Sequence, residues 1–384
     1  MRPPTWLFCL LLLPGSLFCV LLPAEAQRLR IVAANTSSGN GQDYDQGHGI
    51  RIFKGVKPDI ALIQEFNYLN NTTADLRGFV DDTFGPGFFY FRESNTGSIP
   101  NGVISRYPIL ESGQWVSTVA ERDYAWARID LPGNRELLAV SVHLPTASVQ
   151  VRNAEAGDLV GYVNAYYAAN SPARATDYLL IGGDFNTDNR SESCLNTLSQ
   201  VVTIGTSHPA DRNGNVNTNA SRAKPYDAVY AGKGLHALQT STVLGNSTFP
   251  NGLVADTRVY SPISEMAPAL TTDSGATNMQ HQAVVKDFII PLPADPPVLE
   301  ILESSMQTAA PRQVRISFRS TAGATYEAQA SASMTANAWS NLGTFTAAGS
   351  ATTVTIVPGT PGTGQVQDST LAVASRRFYR VIRR

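Results

Sequence analysis

The sequence is poor in cysteine, with only three in 384 residues, and two of these, Cys9 and Cys19, lie in a leucine-rich stretch at the N-terminus. If this stretch is removed, Cys194 has no partner within the chain, so an internal disulfide is excluded. The protein must then be held together by its hydrophobic core. A hydrophobic content of 43% in a chain of this length is enough to build one, with room for two or three domains.

An excess of charge of one sign is also missing. The chain has 29 Lys and Arg against 31 Asp and Glu, and its formal net charge is −2. This balance excludes a broad basic surface that would hold nucleic acid along its length. Charged residues make up 16% of the sequence, which is typical of a globular rather than a disordered chain. An enzyme that binds a nucleic acid only at a local site is compatible with these values.

Long apolar runs are absent beyond the first 22 residues, so no membrane-spanning segment is predicted after them. The run Trp6–Leu22 follows Arg2 and precedes Ala24-Glu25-Ala26, a small-x-small cleavage pattern. We therefore predict a signal peptide over residues 1–26 and a secreted, periplasmic or cell-surface protein. The alternative is a retained membrane anchor, and Pro14-Gly15 interrupts the run that an anchor would require.

Four predicted strands end at a residue that can take part in chemistry. Apolar runs lead into Asn35, Glu65, His143 and Asp184, and Asn186 follows Asp184 two positions later. Residues i and i+2 of an extended chain point to the same face, so Asp184 and Asn186 are expected to project together from the end of their strand. Taken alone, Asp-x-Asn is more typical of a turn. Four such strand ends in one chain favour a functional site.

The composition changes near residue 291 and predicts two folded domains. Helices are predicted around Ile50 and Phe53, over 148–168 and near 191–200, between the strands of residues 27–290. A proline-rich linker is predicted over 291–297. Residues 298–384 are rich in Ser, Thr, Ala and Gly and contain short alternating segments, which predict a small β-sandwich accessory domain.

Taken as a set and in this order, the motifs of residues 28–290 resemble the endonuclease/exonuclease/phosphatase superfamily. The motifs are Asn35, Ile63-Gln64-Glu65-Phe66-Asn67, Asn101–Ile109, Ser141-Val142-His143-Leu144, Gly182-Gly183-Asp184-Phe185-Asn186, Pro225-Tyr226-Asp227 and His281. The resemblance implies an α/β fold, a four-layer sandwich of two packed mixed or antiparallel sheets flanked by helices. It identifies the chain as similar to exported, bacterial-type members, here with a small C-terminal all-β sandwich.

The resemblance also implies catalytic roles for five residues. His281 is the expected general base or water-holding group, oriented by Asp227, and Asp184 is expected to align the attacking water. Asn186 and His143 are expected to donate hydrogen bonds to the phosphate. The implied activity is metal-dependent hydrolysis of a phosphodiester, in nucleic acid or phospholipid, by in-line attack of water.

Metal and substrate ligands are implied in the same way. Glu65 and the amide oxygen of Asn35 are the expected ligands of Mg²⁺, or of Mn²⁺ or Ca²⁺, with Gln280 as a third ligand. Two positions depart from the family pattern. Ser37 stands where many relatives carry an acid, and Gln280 stands where the usual triplet has Asp, which predicts weaker metal binding or a different ion preference. Substrate binding is assigned to Arg106, Arg222 and Glu93, with Glu93 as the expected carboxylate partner of His143.

Three functions are consistent with these residues. A nuclease-like phosphodiesterase is the first. A sphingomyelinase-like lipid phosphodiesterase is the second, and it would use exposed apolar loops to reach a bilayer, for which Phe84–Tyr90 is a candidate. The third is a binding or surface protein whose catalytic domain has weakened, which Ser37 and Gln280 would support. The sequence does not indicate a protein partner.

Overall fold

A computed structural model describes residues 26–94, 97–118, 122–132, 135–170, 177–291, 301–307, 312–320, 323, 325–332, 339–349, 351–361, 365–369 and 378–383. Two compact units are present, one within Ala26–Leu292 and one within Pro293–Arg384, and each is described by itself. Residues 1–25 of the predicted signal peptide and residues 292–297 of the predicted linker lie outside the described residues.

The first unit alternates strands with a few helices. Its strands are β1 Ala26–Ala34, β2 Ile60–Ile63, β3 Phe89–Arg92, β4 Gly102–Ser105, β5 Ile109–Trp115, β6 Tyr124–Ile129, β7 Leu137–His143, β8 Tyr178–Asp184, β9 Asp227–Ala231, β10 Gln239–Thr240, β11 Thr242–Leu244, β12 Ser247–Phe249, β13 Leu253–Ala255 and β14 Ala283–Pro291. Its α-helices are α1 His48–Val56, α2 Thr73–Thr83, α3 Val149–Ala169, α4 Ser193–Leu198 and α5 Lys233–His236. Short 3₁₀ turns lie at Ile263–Met266 and Asp273–Gly275.

Two mixed sheets carry most of these strands. The first has the order β10-β14-β1-β2-β4-β3, with β13 also paired to β14, and the second has the order β5-β6-β7-β8-β9. Only the β1–β2 and β7–β8 pairings are parallel within these two sheets as described, and the others are antiparallel. β11 and β12 form a separate hairpin.

Hydrophobic packing arranges the sheets and helices in four layers. A buried cluster that includes Ile31 of β1 and Leu180 of β8 fills the space between the two sheets. A second cluster packs α1 and α2, through Phe53 and Phe79, against the outer face of the first sheet. A third packs α3 and α4 against the outer face of the second sheet. The predicted four-layer α/β sandwich is therefore confirmed.

The pairing of the first sheet brings three chain segments to one edge. Because β1 and β2 are parallel and Ala34 lies opposite Ile63, the residues that follow both strands leave from the same edge. β14 runs antiparallel to β1 with Val284 opposite Ala33, so His281, just before β14, lies at this edge as well.

The second sheet gathers its polar strand ends in the same manner. The parallel strands β7 and β8 end with His143 opposite Asp184. β9 is antiparallel to β8 and begins with Asp227 opposite Asp184. His143 and Asp227, which are 41 and 43 positions from Asp184 in the sequence, are thus placed on either side of Asp184 at one edge of this sheet.

The second unit is built only from strands in the part that the structure describes. Its strands are β15 Ile301–Gln307, β16 Gln313–Arg319, β17 Thr325–Ser331, β18 Ser340–Thr346, β19 Ala351–Val357, β20 Gln365–Gln367 and β21 Phe378–Arg383. They form a sheet of order β15-β16-β19-β20 and a sheet of order β18-β17-β21. A shared core that includes Phe318, Tyr326 and Ile356 joins the two sheets. The predicted small all-β sandwich is confirmed.

Among the described residues, none of the helices is both long enough and apolar enough to cross a membrane.

Candidate active site

The centre of the site is a buried histidine between two buried carboxylates. The Nδ1 atom of His281 lies 3.0 Å from Oδ2 of Asp227, and its Nε2 atom lies 3.4 Å from Oδ2 of Asp184. The backbone N–H of Asp227 donates to Oγ1 of Thr218 at 2.7 Å, which fixes the start of β9. The ring of Tyr226 packs on the His281 ring with a centroid distance of 5.6 Å. The His281 ring is therefore held in place on both of its nitrogens and on one face.

The electrostatics of this group follow from burial and from opposite charges in contact. Burial opposes the ionisation of Asp184, but His281 and His143 outweigh it and hold the pKa of Asp184 well below its ordinary value. Burial raises the pKa of Asp227 to about 6, and His281 opposes this rise. Burial opposes protonation of His281, yet Asp227 and Asp184 raise its pKa to about 10. A positive charge on His281 is thus stabilised between two acids.

His143 joins the same group from the neighbouring strand. Its Nε2 atom lies 3.1 Å from Oδ2 of Asp184. The buried guanidinium of Arg122 donates to the backbone carbonyls of His143 and Leu144, at 2.5 and 3.1 Å, and so holds the end of β7. Within the described residues, Nδ1 of His143 is buried and has no hydrogen-bond partner. The imidazole of His143 thus keeps one ring nitrogen available next to the site.

Glu93 is not the partner of His143 that the sequence predicted. Its two carboxylate oxygens accept the backbone N–H groups of Asn101 and Asp123, both at 2.7 Å. Burial raises the pKa of Glu93, and these two N–H donors oppose the rise. The carboxylate that contacts His143 is that of Asp184. Glu93 instead ties the start of β4 to the segment that precedes β6.

A second carboxylate group adjoins the first. Nδ2 of Asn35 donates to Oε1 of Glu65 at 3.2 Å and to Oδ2 of Asp184 at 3.3 Å, so it links the edges of the two sheets. Oγ of Ser37 donates to Oε2 of Glu65 at 2.5 Å and to Oδ1 of Asn35 at 3.4 Å. All four side chains are buried. The serine that stands in place of an acid is therefore a neutral donor that orients Glu65.

Two of the predicted site residues have left-handed backbone conformations. Glu65 has φ of 50° and Asn186 has φ of 48°. In Asn186, the backbone N–H donates to Oδ1 of Asp184 at 2.9 Å and the side chain donates to the carbonyl of Leu144 at 2.8 Å. Left-handed backbone is tolerated by Asn but is costly for Glu, and such conformations are common at functional sites.

Arg106 lies away from this group. It follows β4, and β4 runs antiparallel to β2 with Ser105 opposite Ile60. Its guanidinium forms an ion pair with Asp59 at 3.0 Å, before the start of β2. The site edge is at the other end of β2, roughly 10–13 Å away at the usual rise per residue. Arg106 was predicted to bind the substrate, and its position at the opposite end of β2 separates it from the active site.

Arg222 has a structural role rather than the predicted contact with substrate. Its guanidinium pairs with Asp211 and Asp256, each at 2.8 Å, and donates to the backbone carbonyls of Asn215 and Asn217. With the further bond from Nη1 to Asp211, all five N–H donors of an arginine are used. The side chain therefore holds the loop that carries Thr218 and has no donor left for a phosphate.

Gln280 is adjacent to the buried cluster but is not part of it. Its side chain is exposed, whereas His281, the next residue, is buried and forms a β-bridge with Asn219. The buried contacts of Asp184, Asp227 and Glu65 are made without Gln280. A metal-ligand role for Gln280 remains a prediction.

The donor set fits a divalent cation. Asp184, Asp227 and His281 offer ligand atoms that all lie within 4.8 Å of one another, and Glu65 is joined to Asp184 through Asn35. Oδ1 of Asp227 is buried without a hydrogen-bond partner in the described part of the chain. Oxygen-rich sites with several carboxylates suit hard cations. Two placements are possible, at Glu65 and Asn35 as predicted or at the Asp184, Asp227 and His281 group.

Sequence reasoning missed the residues that position these groups. Thr218 fixes the start of β9 and Arg122 fixes the end of β7, and neither lies in a motif that marks it. Tyr226, which packs on the His281 ring, was quoted only as part of the Pro225-Tyr226-Asp227 motif. Gln64 was quoted only as part of a motif, and its Nε2 donates to Oγ of Ser141 at 2.9 Å across the two sheets. A polar residue beside a predicted catalytic residue is the one signal that could have indicated Gln64 and Ser141.

A sequence profile described as "Endonuclease/Exonuclease/phosphatase family" matches residues 44–247. Among curated proteins, no sequence matches the chain. Similar solved structures include an endonuclease/exonuclease/phosphatase from Beutenbergia cavernae DSM 12333, with 14% identity, a TM-score of 0.45, and coverage of 93% of this chain and 100% of that one. Truncated TDP2 from Caenorhabditis elegans has 14% identity, a TM-score of 0.45, and coverage of 68% and 97%. The 3'-5' exonuclease NExo from Neisseria meningitidis has 13% identity, a TM-score of 0.44, and coverage of 68% and 99%.

The profile spans slightly more than half of the 384 residues. The chain therefore belongs to the endonuclease/exonuclease/phosphatase family, as its motifs predicted. It is an enzyme, a metal-dependent hydrolase that acts on phosphodiester bonds.

Proposed function

We propose that this enzyme is an exported, nuclease-like phosphodiesterase that uses Mg²⁺ or a similar divalent cation. The observation that carries the proposal is the position of His281 between Asp227 and Asp184 at the edge where both sheets deliver their polar strand ends. Export is proposed from the pattern of residues 1–26 in the sequence.

Each residue of the group has a role that follows from its contacts. Asp227 anchors Nδ1 of His281, so Nε2 is the atom that exchanges a proton with water or with the phosphate. The carboxylate of Asp184 is in contact with the side chain of Asn35, the backbone N–H of Asn186 and the ring of His143, and it stays ionised. An ionised carboxylate is suited to align the attacking water. His143 and Asn186 lie beside Asp184, where they can donate hydrogen bonds to phosphate oxygens. A divalent cation held by Glu65 and Asn35 would neutralise phosphate charge and polarise the bond that breaks.

The segment predicted to dock to a bilayer, Phe84–Tyr90, does not support a lipid substrate. In the predicted bilayer-docking segment, Phe84 and Phe88 are partly buried and pack onto the cluster around Phe79. Phe89 is 44% exposed, but it begins the edge strand β3 rather than a loop tip. No apolar loop thus projects from this segment, and a nucleic acid is the preferred substrate class over a phospholipid.

A substrate panel tests the proposal. We expect the purified full-length chain with Mg²⁺ or Mn²⁺ to hydrolyse bis-p-nitrophenyl phosphate and to cleave DNA or RNA. Turnover of sphingomyelin and of inositol phosphates is expected to be much slower. Activity should disappear in EDTA and return when the metal is added back, since the buried carboxylates and the phosphate repel each other without a cation. The measurement is the initial rate on each substrate under one metal condition.

The matched control for this panel is Asp184→Asn, which keeps the size of the side chain and removes its charge. Cleavage of nucleic acid that is equal in wild type and Asp184→Asn would indicate a contaminating nuclease and would contradict the proposal. Faster turnover of sphingomyelin than of DNA and RNA would assign the enzyme to the lipid class instead.

A further inference from the structure

The apolar layer between the two sheets ends in a polar pair at the edge that carries the active site. Leu62 of β2 is followed two positions later by Gln64, and Ala139 of β7 is followed in the same way by Ser141. Both polar side chains are completely buried. A position at the end of a core normally carries an apolar residue, because the burial of a polar group is costly unless the group is hydrogen-bonded.

These two side chains form a bridge between the sheets. Nε2 of Gln64 donates to Oγ of Ser141 at 2.9 Å, and the same hydroxyl donates to the backbone carbonyl of Ile63 at 3.0 Å. Ser141 therefore uses its proton and one lone pair on the segment that leads into Glu65. A β-carbon built on Gly183 would lie only 2.8 Å from Nε2 of Gln64, so the amide packs directly on the glycine backbone of β8.

The bridge lies next to site residues that come from both sheets. Gln64 directly precedes Glu65, and Ser141 lies two positions before His143 on β7. Asp184 directly follows the glycine on which the amide packs. Glu65 leaves from the edge of the first sheet, whereas His143 and Asp184 end strands of the second sheet. The bridge thus fixes how far apart the two halves of the site are held.

Stability alone does not account for the polar bridge. Within the described residues, Oε1 of Gln64 is buried and has no hydrogen-bond partner. An unpaired buried acceptor lowers the stability of the fold, whereas an apolar side chain of similar shape would not. A residue that breaks a rule of core packing in this way is expected where it serves an active site.

We propose that the bridge between Gln64 and Ser141 is a positioning element of the hydrolytic reaction. It holds Glu65, the proposed cation ligand, at the separation from Asp184 and His143 that attack of water on the phosphate requires. Gln64 and Ser141 act through these neighbours and not on the substrate. The inference goes beyond the proposed function, because it applies to any phosphodiester and depends neither on export nor on a nucleic acid.

Kinetics and thermal unfolding of Gln64→Met test the proposal in the full-length chain, with bis-p-nitrophenyl phosphate and saturating Mg²⁺. Methionine has a similar length and volume but cannot donate the hydrogen bond to Ser141. We expect kcat to fall by about 10–100-fold, since a small displacement of a catalytic group has an effect of this size. The value of KM should change much less than kcat. The unfolding midpoint should stay within about 3 °C of the wild type or rise, because the unpaired Oε1 is removed as well.

Ser141→Ala and the double variant Gln64→Met/Ser141→Ala show whether the two residues act as one unit. Ser141→Ala should lower kcat to a similar extent. The double variant should be no slower than the slower of the two single variants, because the same bridge is lost in each. It should also unfold at a higher temperature than Ser141→Ala, in which the amide of Gln64 is left without an acceptor. If Ser141→Ala does not fold, Gln64→Met and the double variant decide the test.

Gln27→Met is the matched control, since Nε2 of Gln27 donates to the hydroxyl of Tyr107 at 2.6 Å at the other end of β1 from the site. It loses a comparable hydrogen bond and should keep the wild-type kcat. The proposal is overturned if Gln64→Met is as fast as Gln27→Met, or if the losses of the single variants multiply in the double variant. A loss of kcat that occurs only together with unfolding would overturn it too. No turnover by the wild type would contradict the proposed function as well as the bridge.

Discussion

Replacing His281 by alanine is expected to lower kcat on bis-p-nitrophenyl phosphate by about 10²–10⁴-fold at saturating metal. The imidazole lies 3.0 Å from Asp227 and 3.4 Å from Asp184, so it is the one ring in the cluster held by two acids. Without it, the ring that exchanges a proton between these two acids is lost. The value of KM should change much less than kcat, because proton transfer contributes in the transition state rather than in substrate binding.

Initial rates and thermal unfolding check this prediction together. His236→Ala removes a histidine from the short helix α5 and should retain the wild-type rate, which makes it the matched control. Asp227→Asn should lose activity to a smaller extent, because the ring remains but the carboxylate that sets its tautomer is gone. A folded His281→Ala enzyme that kept more than about a tenth of the wild-type rate would contradict any role in proton transfer, which is expected to supply at least about a hundredfold.

Replacing Glu65 by glutamine is expected to raise the metal concentration needed for half-maximal activity by about 10–100-fold or more, on the scale by which even neighbours of metal ligands affect binding. The change keeps the shape of the side chain and removes one of the buried negative charges. Oε1 and Oε2 of Glu65 already accept hydrogen bonds from Asn35 and Ser37, which would still orient a glutamine oxygen. The fold should therefore be kept while metal affinity falls.

The metal titration also decides between the two possible cation positions. Glu111→Gln, at a partly exposed ion pair with Arg128, is the control and should leave the metal requirement unchanged. If Glu65 and Asn35 hold the cation, Asp227→Asn lowers the rate at saturating metal and shifts the metal requirement little. The reverse result, with a large shift in Asp227→Asn and none in Glu65→Gln, would place the cation at the Asp184, Asp227 and His281 group.

Much of the site could be predicted because strand ends are visible in a sequence. Apolar runs that stop at Asn35, Glu65, His143 and Asp184 predict buried strands, and the parallel pairs β1–β2 and β7–β8 bring those ends together. The helix over 148–168 was predicted from its apolar periodicity and is α3 in the structure. Local patterns of this kind reflect burial, which acts on each segment separately.

Other features depend on partners that a local pattern does not show. Arg222 was assigned to substrate because it precedes Asp227, and the acids that occupy it, Asp211 and Asp256, lie 11 and 34 positions away. Helix α2 was missed since its sequence is mostly polar, although Thr72 and Asp75 form a capping box at its start. Lys286 interrupts the apolar strand β14, and nothing in the local sequence showed that it would be buried.

The left-handed backbone of Glu65 has a consequence for the evolution of the enzyme. An L-residue other than Asn or Asp held at φ of 50° costs about 1–2 kcal/mol, and glycine at this position would relieve most of that cost. Glycine would, however, also leave the buried donors of Asn35 and Ser37 without their acceptor, which costs about as much as the strain it relieves, and it would remove the acid expected to bind the cation. Variants selected for turnover must retain the strained acid and can recover heat resistance only through changes elsewhere in the chain.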